Sequence, residues 1–163
     1  MRSDEVLTIA GKRGYGKTTI AKEVIQGLSR VAIWDPHREY DHVNSYHPVN
    51  GSIDEFEKWL KPLWLKGNIF IMVDEADEVI PVQPVILSPT IYKIVNYGRH
   101  RNIGLGMITR RIAMLNKTAF SQSAEVILFH HFTPNDIRYL SEFIPNAAEL
   151  IKFQKYQYKV YPL

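Results

Sequence analysis

The sequence predicts an α/β protein, a three-layer sandwich in which helices cover both faces of a mostly parallel central sheet. Short, nearly continuous apolar runs alternate with helical patterns along the chain. Such runs are typical of strands buried on both faces, since a strand with one wet face alternates apolar and polar residues. The chain has no repeat and no linker-like stretch, so we expect one domain over 1–163. The predicted strands are 6–10, 31–34, 69–73, 103–108 and 126–129.

The first two predicted helices have identifiable ends. One follows a glycine-rich loop and covers residues 16 to about 28. Ser52, with Glu55 three residues later, predicts a capping box for a second helix that continues to about Leu65. Gly67 is suited to end that helix, because glycine readily adopts the left-handed conformation that follows many helices.

Two later helices are predicted to begin at a proline. Ser88-Pro89 and Thr133-Pro134 each place an N-cap residue directly before proline. Proline is favoured at the first helical position, because its missing N–H would have no partner there.

The tail, residues 150–163, alternates apolar or aromatic residues with polar ones. This alternation predicts a C-terminal β-hairpin at the edge of the sheet, with one buried face. A second interpretation is that the tail's tyrosines stack on nucleotides, with lysines between them. The residues concerned are Lys152, Lys155, Tyr156, Tyr158, Lys159 and Tyr161.

Composition excludes several classes of function. The chain has no cysteine, which excludes thiol catalysis, iron–sulfur clusters, cysteine-ligated zinc and a disulfide scaffold. No two histidines lie at a helical spacing of four, so we expect surface or strand-end histidines and no zinc site. The histidines are His37, His42, His47, His100, His130 and His131.

Charge and hydropathy predict the location of the protein. The formal charge of +3 permits an anionic partner but does not identify one. The first residues lack the layout of a signal peptide, and no apolar run reaches the roughly 18 residues of a membrane span. We therefore expect a cytoplasmic protein with no membrane partner.

The loop after the first strand matches the phosphate-binding pattern G-x-x-x-x-G-K-[ST] and precedes a helix, as that motif requires. Its glycines let successive backbone N–H groups point at phosphate oxygens, and the helix N-terminus favours negative charge. Lys17 is predicted to reach the β- and γ-phosphates, and Thr18 to place its hydroxyl on Mg²⁺. The predicted binding residues are Gly11, Lys12, Arg13, Gly14, Tyr15, Gly16, Lys17, Thr18 and Thr19.

Two acids end the third predicted strand, at the edge of the sheet where parallel-sheet ligands bind. Asp74 is predicted to hold the metal through water. Glu75 is then placed to polarise a water for attack on the γ-phosphate, although a solvated acid is the simpler interpretation. Asp77 and Glu78 are expected to be helix-start or surface acids.

Four segments together resemble the HerA/FtsK superfamily of P-loop ATPases, whose known members are hexameric DNA pumps and include viral genome-packaging ATPases. Two of them, GKRGYGKTT and IFIMVDEAD, are shared by many ATPases. The other two are specific. AIWDPHREY is similar to the family's strand followed by D-P-x-x-E-Y, and GRHRNIGLGMITRR to its G-R-x-x-G-[IV]-x-[LI]-x-x-x-T-Q-R.

The resemblance implies a P-loop NTPase fold of the RecA-like (ASCE) type with strand order 5-1-4-3-2, counting the five predicted strands along the chain. It also implies ATP and Mg²⁺ as cofactors, a hexameric homo-oligomeric ring, and double-stranded DNA bound without sequence readout. Because the chain is short for this family, the resemblance favours a minimal motor recruited by other proteins, such as those of a viral capsid.

Arginines complete the implied site. The family commonly has Gln where this chain has Arg110, so a fixed positive charge replaces a neutral γ-phosphate sensor. Family members also receive an arginine from the neighbouring subunit, and Arg99 matches that position best, with Arg101 and Arg111 as rivals. A basic helix face and a solvated strand end remain the simpler interpretation of this cluster.

The predicted function is therefore an ATP-hydrolysing DNA translocase, specifically a viral genome-packaging ATPase in the host cytoplasm. One alternative is a small-molecule P-loop kinase, against which the adjacent Asp74 and Glu75 argue. The other is an assembly or secretion module that binds ATP without turning it over.

Overall fold

In the computed structural model, which describes residues 4–83, 86–131 and 133–163, seven strands form one sheet. The strands lie in the order β3-β2-β4-β5-β1-β6-β7, and all neighbouring pairs are parallel except β6 with β7. Their bounds are β1 Val6–Ala10, β2 Val31–Trp34, β3 Ser45–Tyr46, β4 Ile69–Val73, β5 Ile103–Thr109, β6 Glu125–Leu128 and β7 Lys159–Pro162.

The five predicted strands are confirmed, three of them residue for residue, and the other two differ by one residue at their ends. They lie in the order that the resemblance implied, with β5 between β4 and β1. The two-residue β3 beside β2 was not predicted, because it is too short to show a pattern.

Helices cover both faces of the sheet, which confirms the three-layer arrangement. The α1 helix packs on one face through Ala21 and Ile25. The opposite face is covered by α2, α4, α5 and α6, whose buried side chains include Phe56, Ile91 and Phe120. Within the described ranges, no helix is both long enough and apolar enough to cross a membrane. The bounds are α1 Lys17–Gln26, α2 Ile53–Lys66, α3 Ala76–Val79, α4 Pro89–Tyr97, α5 Lys117–Ser121 and α6 Pro134–Leu140.

Only one half of the predicted capping box forms at the start of α2. Ser52 accepts a hydrogen bond from the Glu55 amide at 3.2 Å. The Glu55 carboxylate does not return to Ser52 but accepts from the amides of Val49, Asn50 and Gly51. These bonds lower the pKa of Glu55 to about 2, and the bond from the Val49 amide has the largest effect. Helix α2 ends at Gly67, as predicted, and this glycine has φ +62°.

The two proline helix starts differ from each other. Thr133 accepts from the Asp136 amide and caps α6, as predicted. Ser88 precedes α4 but makes no capping bond, and its hydroxyl is buried. The Glu57 carboxylate on α2 accepts from the Thr90 amide at 3.0 Å instead, so a neighbouring helix satisfies this helix end.

The predicted C-terminal hairpin is wrong. The first part of the tail is a 3₁₀ helix, Ala147–Lys152, because Leu150 is fully buried and anchors this segment in the core. A tight turn follows, closed by a 3.1 Å bond from the Gln157 amide to the Gln154 carbonyl. In the described part of this tail, only β7 pairs with another strand; it runs antiparallel to β6 at the edge of the sheet.

Candidate active site

A cavity of about 640 Å³ lies at the carboxyl ends of the central strands. It brings together most of the residues that the sequence singled out, which come from the glycine-rich loop, from the end of β4 and from the end of β5. It also includes three side chains to which the sequence analysis gave no role in it. The lining is Arg13, Gly14, Gly16, Lys17, Thr18, Thr19, Asp74, Glu75 and Arg110, together with His37, Glu39 and Tyr156.

The loop after β1 has a shape that only glycine permits at its first position. Gly11 has φ +147°, and a Cβ built on it would lie 2.5 Å from Cβ of Phe129. The loop therefore passes closer to the end of β6 than any side chain allows. Gly14 and Gly16 also have positive φ, but a Cβ on Gly14 would have no neighbour within 4 Å among the described residues.

Backbone bonds tie this loop to both strands that flank β1. The Gly11 amide donates to the Thr109 carbonyl at the end of β5, and the Lys12 amide donates to the His130 carbonyl beyond β6. The Tyr15 ring stacks on the His130 ring, with centroids 5.3 Å apart. The loop is thus held in place before any ligand binds.

Lys17 begins α1 and folds back across the loop. Its Nζ donates to the Lys12 carbonyl at 3.3 Å, and the residue is only 9% exposed. Burial lowers the pKa of Lys17, while the nearby Glu75 and Asp74 oppose that shift. Burial removes water from the ammonium and so disfavours its charged form. An anion bound in this pocket would stabilise that charged form.

Thr18 contacts a carboxylate that the sequence analysis left without a role. Its hydroxyl donates to Oε2 of Glu39 at 2.8 Å. Glu39 is positioned by the fully buried Asp35, whose carboxylate accepts from the amides of Glu39 at 2.9 Å and Tyr40 at 3.0 Å. The D-P-x-x-E-Y segment is thus a turn built around Asp35. This segment follows β2, which pairs with β4, and that location was the available signal that Glu39 lies near Asp74.

Asp74 follows β4 and is 5% exposed. Its Oδ1 accepts from the Glu75 amide at 2.9 Å. Burial raises the pKa of Asp74 to about 7, and the charges of Glu75 and Glu39 add to that effect, while Lys17 opposes it. A cation in the cavity would favour the ionised form.

Glu75 has a left-handed backbone, with φ +49°, and its carboxylate is already paired. Arg110 Nε donates to one oxygen at 2.8 Å, and His37 Nε2 lies 3.6 Å from the other. Arg110 also lies 3.5 Å from Oε1 of Glu78 in the first turn of α3. A non-glycine residue in the left-handed conformation is strained, and strained residues are found more often at functional sites than elsewhere.

The other predicted arginines lie outside the cavity. Arg99 is on a 3₁₀ helix before β5, at the amino ends of the strands, whereas the cavity lies at their carboxyl ends. Its side chain is 72% exposed, and its Nε lies 3.9 Å from Oδ2 of Asp4. Arg101 donates to the Trp64 and Leu65 carbonyls and so caps α2. Arg111 lies 3.5 Å from Asp136. Arg99 cannot reach the nucleotide cavity of its own chain.

The oxygen donors of the cavity suit Mg²⁺ better than a transition metal. A hydroxyl from Thr18 and carboxylates from Asp74 and Glu39 are hard ligands, and Mg²⁺ is bound by one or two carboxylates plus phosphate oxygens. Among the residues that the structure describes, no group of three or more His, Cys, Asp or Glu side chains could hold a metal ion alone.

Comparison with known proteins identifies the fold. No protein-family model and no curated sequence matches the chain. The structure is similar to that of the genome packaging NTPase B204 from Sulfolobus turreted icosahedral virus 2 in complex with ATP-γS. The TM-score is 0.83 at 20% identity, over 99% of this chain and 94% of that one. At this identity the likeness establishes a shared fold, that of the P-loop NTPases.

Two more distant structures have the same fold. The pCW3 conjugation coupling protein TcpA, solved with ATPγS, gives a TM-score of 0.68 at 13% identity, over 99% of this chain and 58% of that one. The N-terminal domain of zonular occludens toxin from Neisseria meningitidis gives 0.54 at 15% identity, over 76% and 75% of the two chains.

We expect Gly11→Ala to destabilise the protein more than Gly14→Ala. Both substitutions place Cβ on a residue with positive φ, which costs about 1–2 kcal/mol. Only the Cβ at Gly11 overlaps another residue, Phe129, whose backbone is fixed, which adds about 1–3 kcal/mol. Urea unfolding of both variants measures the difference. Equal losses of stability would contradict the close approach of loop and strand.

Asp74→Asn should raise stability at pH 8 but not at pH 4. The unfolded carboxyl has a pKa near 3.8 and the folded one about 7, so between these values the folded chain holds an extra proton. The associated stability is complete below about pH 4 and is lost as the pH rises through 7. Unfolding in EDTA should show a gain for the variant of up to about 4 kcal/mol at pH 8. A difference that does not change with pH would contradict the shift.

Proposed function

We propose that the protein is an ATP-hydrolysing motor that translocates DNA, and that it packages a viral genome in the cytoplasm of the host. The observation that carries this proposal is the meeting of Lys17, Thr18, Asp74 and Glu75 in one cavity. A phosphate loop, a metal carboxylate and an adjacent water-activating carboxylate are the parts that ATP hydrolysis requires.

Binding depends on groups that are already in place. Loop N–H groups and Lys17 hold the β- and γ-phosphates, which replace the Lys12 carbonyl as the partner of the ammonium. Thr18 and Asp74 would hold Mg²⁺, which would supply charge neutralisation at the phosphate oxygens. Glu39, hydrogen-bonded to Thr18, orients that hydroxyl.

Hydrolysis requires Glu75 to exchange partners. Arg110 Nε donates to this carboxylate at 2.8 Å, so the paired oxygen is not available to accept from a water. A γ-phosphate offers Arg110 a competing anion in the same cavity. When the guanidinium turns to that phosphate, Glu75 is free to polarise the attacking water. Arg110 thereby serves as the γ-phosphate sensor. In the family that the sequence resembles this sensor is a neutral Gln, whereas Arg110 acts through its positive charge.

Assembly completes the site. Arg99 is exposed at the amino ends of the strands, away from the cavity of its own chain, so it can contribute to catalysis only in a neighbouring copy. Such a finger stabilises charge on the transferring phosphoryl group. A closed homo-oligomeric ring, which we propose to be a hexamer, gives every site one such arginine.

Similar proteins support DNA as the partner. One is described as the DNA-packaging ATPase of Sulfolobus turreted icosahedral virus, and another as a conjugation coupling protein. A translocating motor grips double-stranded DNA through the phosphate backbone, without sequence readout. Recruitment by capsid proteins supplies the specificity that such binding lacks.

The paired state of Glu75 favours one alternative, an ATP-binding assembly or secretion module without turnover. ATP binding without hydrolysis at any protein concentration, with or without duplex DNA, would favour this alternative over the motor.

ATPase activity measured against protein concentration, with and without duplex DNA, tests the motor. We expect specific activity to rise as subunits associate and to rise further with DNA. Lys17→Ala should abolish binding. Glu75→Gln should retain ATP affinity while turnover falls by about 10²- to 10⁴-fold. Parental turnover in Glu75→Gln would refute the assigned base.

Mixing two inactive variants tests the arginine in trans. Arg99→Ala should lower turnover by about 10³-fold or more without weakening ATP binding. Arg99→Ala subunits keep an intact nucleotide site, and Glu75→Gln subunits keep Arg99. Mixed rings should therefore recover activity that neither variant has alone. No recovery in rings that demonstrably mix would exclude Arg99 as the finger.

A further inference from the structure

The cavity has two chemically different sides. On one side of the phosphate loop, β5 and β4 carry Arg110, Asp74 and Glu75. On the other side, where β6 and β7 lie, the turn before β7 brings the ring of Tyr156 to the same cavity. If the terminal phosphate lies beside Glu75, the base end of a bound nucleotide points toward β6 and β7.

Tyr156 lies where that base would be. It lines the cavity, is 64% exposed and rests against the phosphate loop. A Cβ built on Gly16 would be only 3.2 Å from Cδ1 of its ring. The next aromatic pair, Phe129 and Tyr158, has ring centroids 5.4 Å apart and supports this side of the cavity.

The backbone at Tyr156 shows that folding alone does not select this residue. Tyr156 is the third residue of the turn closed by the bond from Gln157 to Gln154, and its φ is +70°. Glycine or asparagine is normally found there, because a larger side chain is strained. The tyrosine ring is mostly exposed and so adds little burial in return. A strained, exposed aromatic residue at the rim of a cavity points to a contact with a ligand.

We propose that Tyr156 stacks on the base of the bound nucleotide and that the site accepts all four common nucleoside triphosphates. The proposal rests on nucleotide binding, the first step of the proposed function. Every base has a π face, so stacking tolerates any base and favours the larger purines. Affinity should therefore follow ATP and GTP above CTP and UTP, and inorganic tripolyphosphate should bind more weakly than ATP.

Tyr156→Gly is the most informative variant, because it removes the ring and relieves the strained backbone at once. Titration calorimetry should show ATP affinity falling by about 5- to 150-fold, the range expected for one stacked base. Affinity for tripolyphosphate should not change. Thermal stability should stay the same or rise, which separates a ligand contact from a structural role. Tyr156→Phe should bind ATP as the parent does.

Tyr92→Ala is the matched control, since Tyr92 is also exposed but lies on α4, outside the cavity. It should leave ATP and tripolyphosphate affinity unchanged. The inference is overturned if Tyr156→Gly binds ATP like the parent, or if ATP and tripolyphosphate affinities fall equally. A parent protein that is folded but binds neither ligand would instead refute the proposed function itself, and this inference with it.

Discussion

Four of the charged side chains that line the cavity at the carboxyl ends of the strands form a balanced cluster, and the rest of the site depends on that balance. Lys17 and Arg110 supply two positive charges, and Asp74 and Glu75 two carboxyls. Within the protein, Arg110 pairs with Glu75, Lys17 bonds to a carbonyl, and burial raises the pKa of Asp74. A triphosphate therefore has to compete with the existing partner of each group. Ligand entry rearranges this cluster, whereas the backbone around it is already held between β5 and β6.

Much of this arrangement could be predicted from the sequence. The phosphate loop and the acids after β4 were predictable because local spacing and the end of a parallel strand determine where they lie. The strand order came from the resemblance, since periodicity carries no information about which strands pair. Glu39 was given no role, and Tyr156 was considered for stacking on nucleotides but not placed at this cavity. Turns position both residues, and their contacts join residues far apart in the chain.

The wrong predictions share a physical cause, since tertiary contacts replaced local ones. The tail has the alternation of a hairpin, but burial of Leu150 holds its first half in a 3₁₀ helix. Ser88 has the position of an N-cap, but Glu57 on α2 satisfies the helix start from across the interface. His37 is exposed, as expected, and its Nε2 also lies 3.6 Å from Glu75, because the turn around Asp35 brings it to the rim of the cavity.

Because β7 is an edge strand, the base and the phosphates of a bound nucleotide can leave the cavity in separate steps. Among the described residues this strand pairs only with β6, over four residues, and Tyr156 precedes it by three positions. Edge elements with few partners open locally at a small fraction of the cost of global unfolding. Fraying there would uncover the base while the phosphates remain gripped, so release of spent nucleotide can begin at the rim without loosening the central sheet.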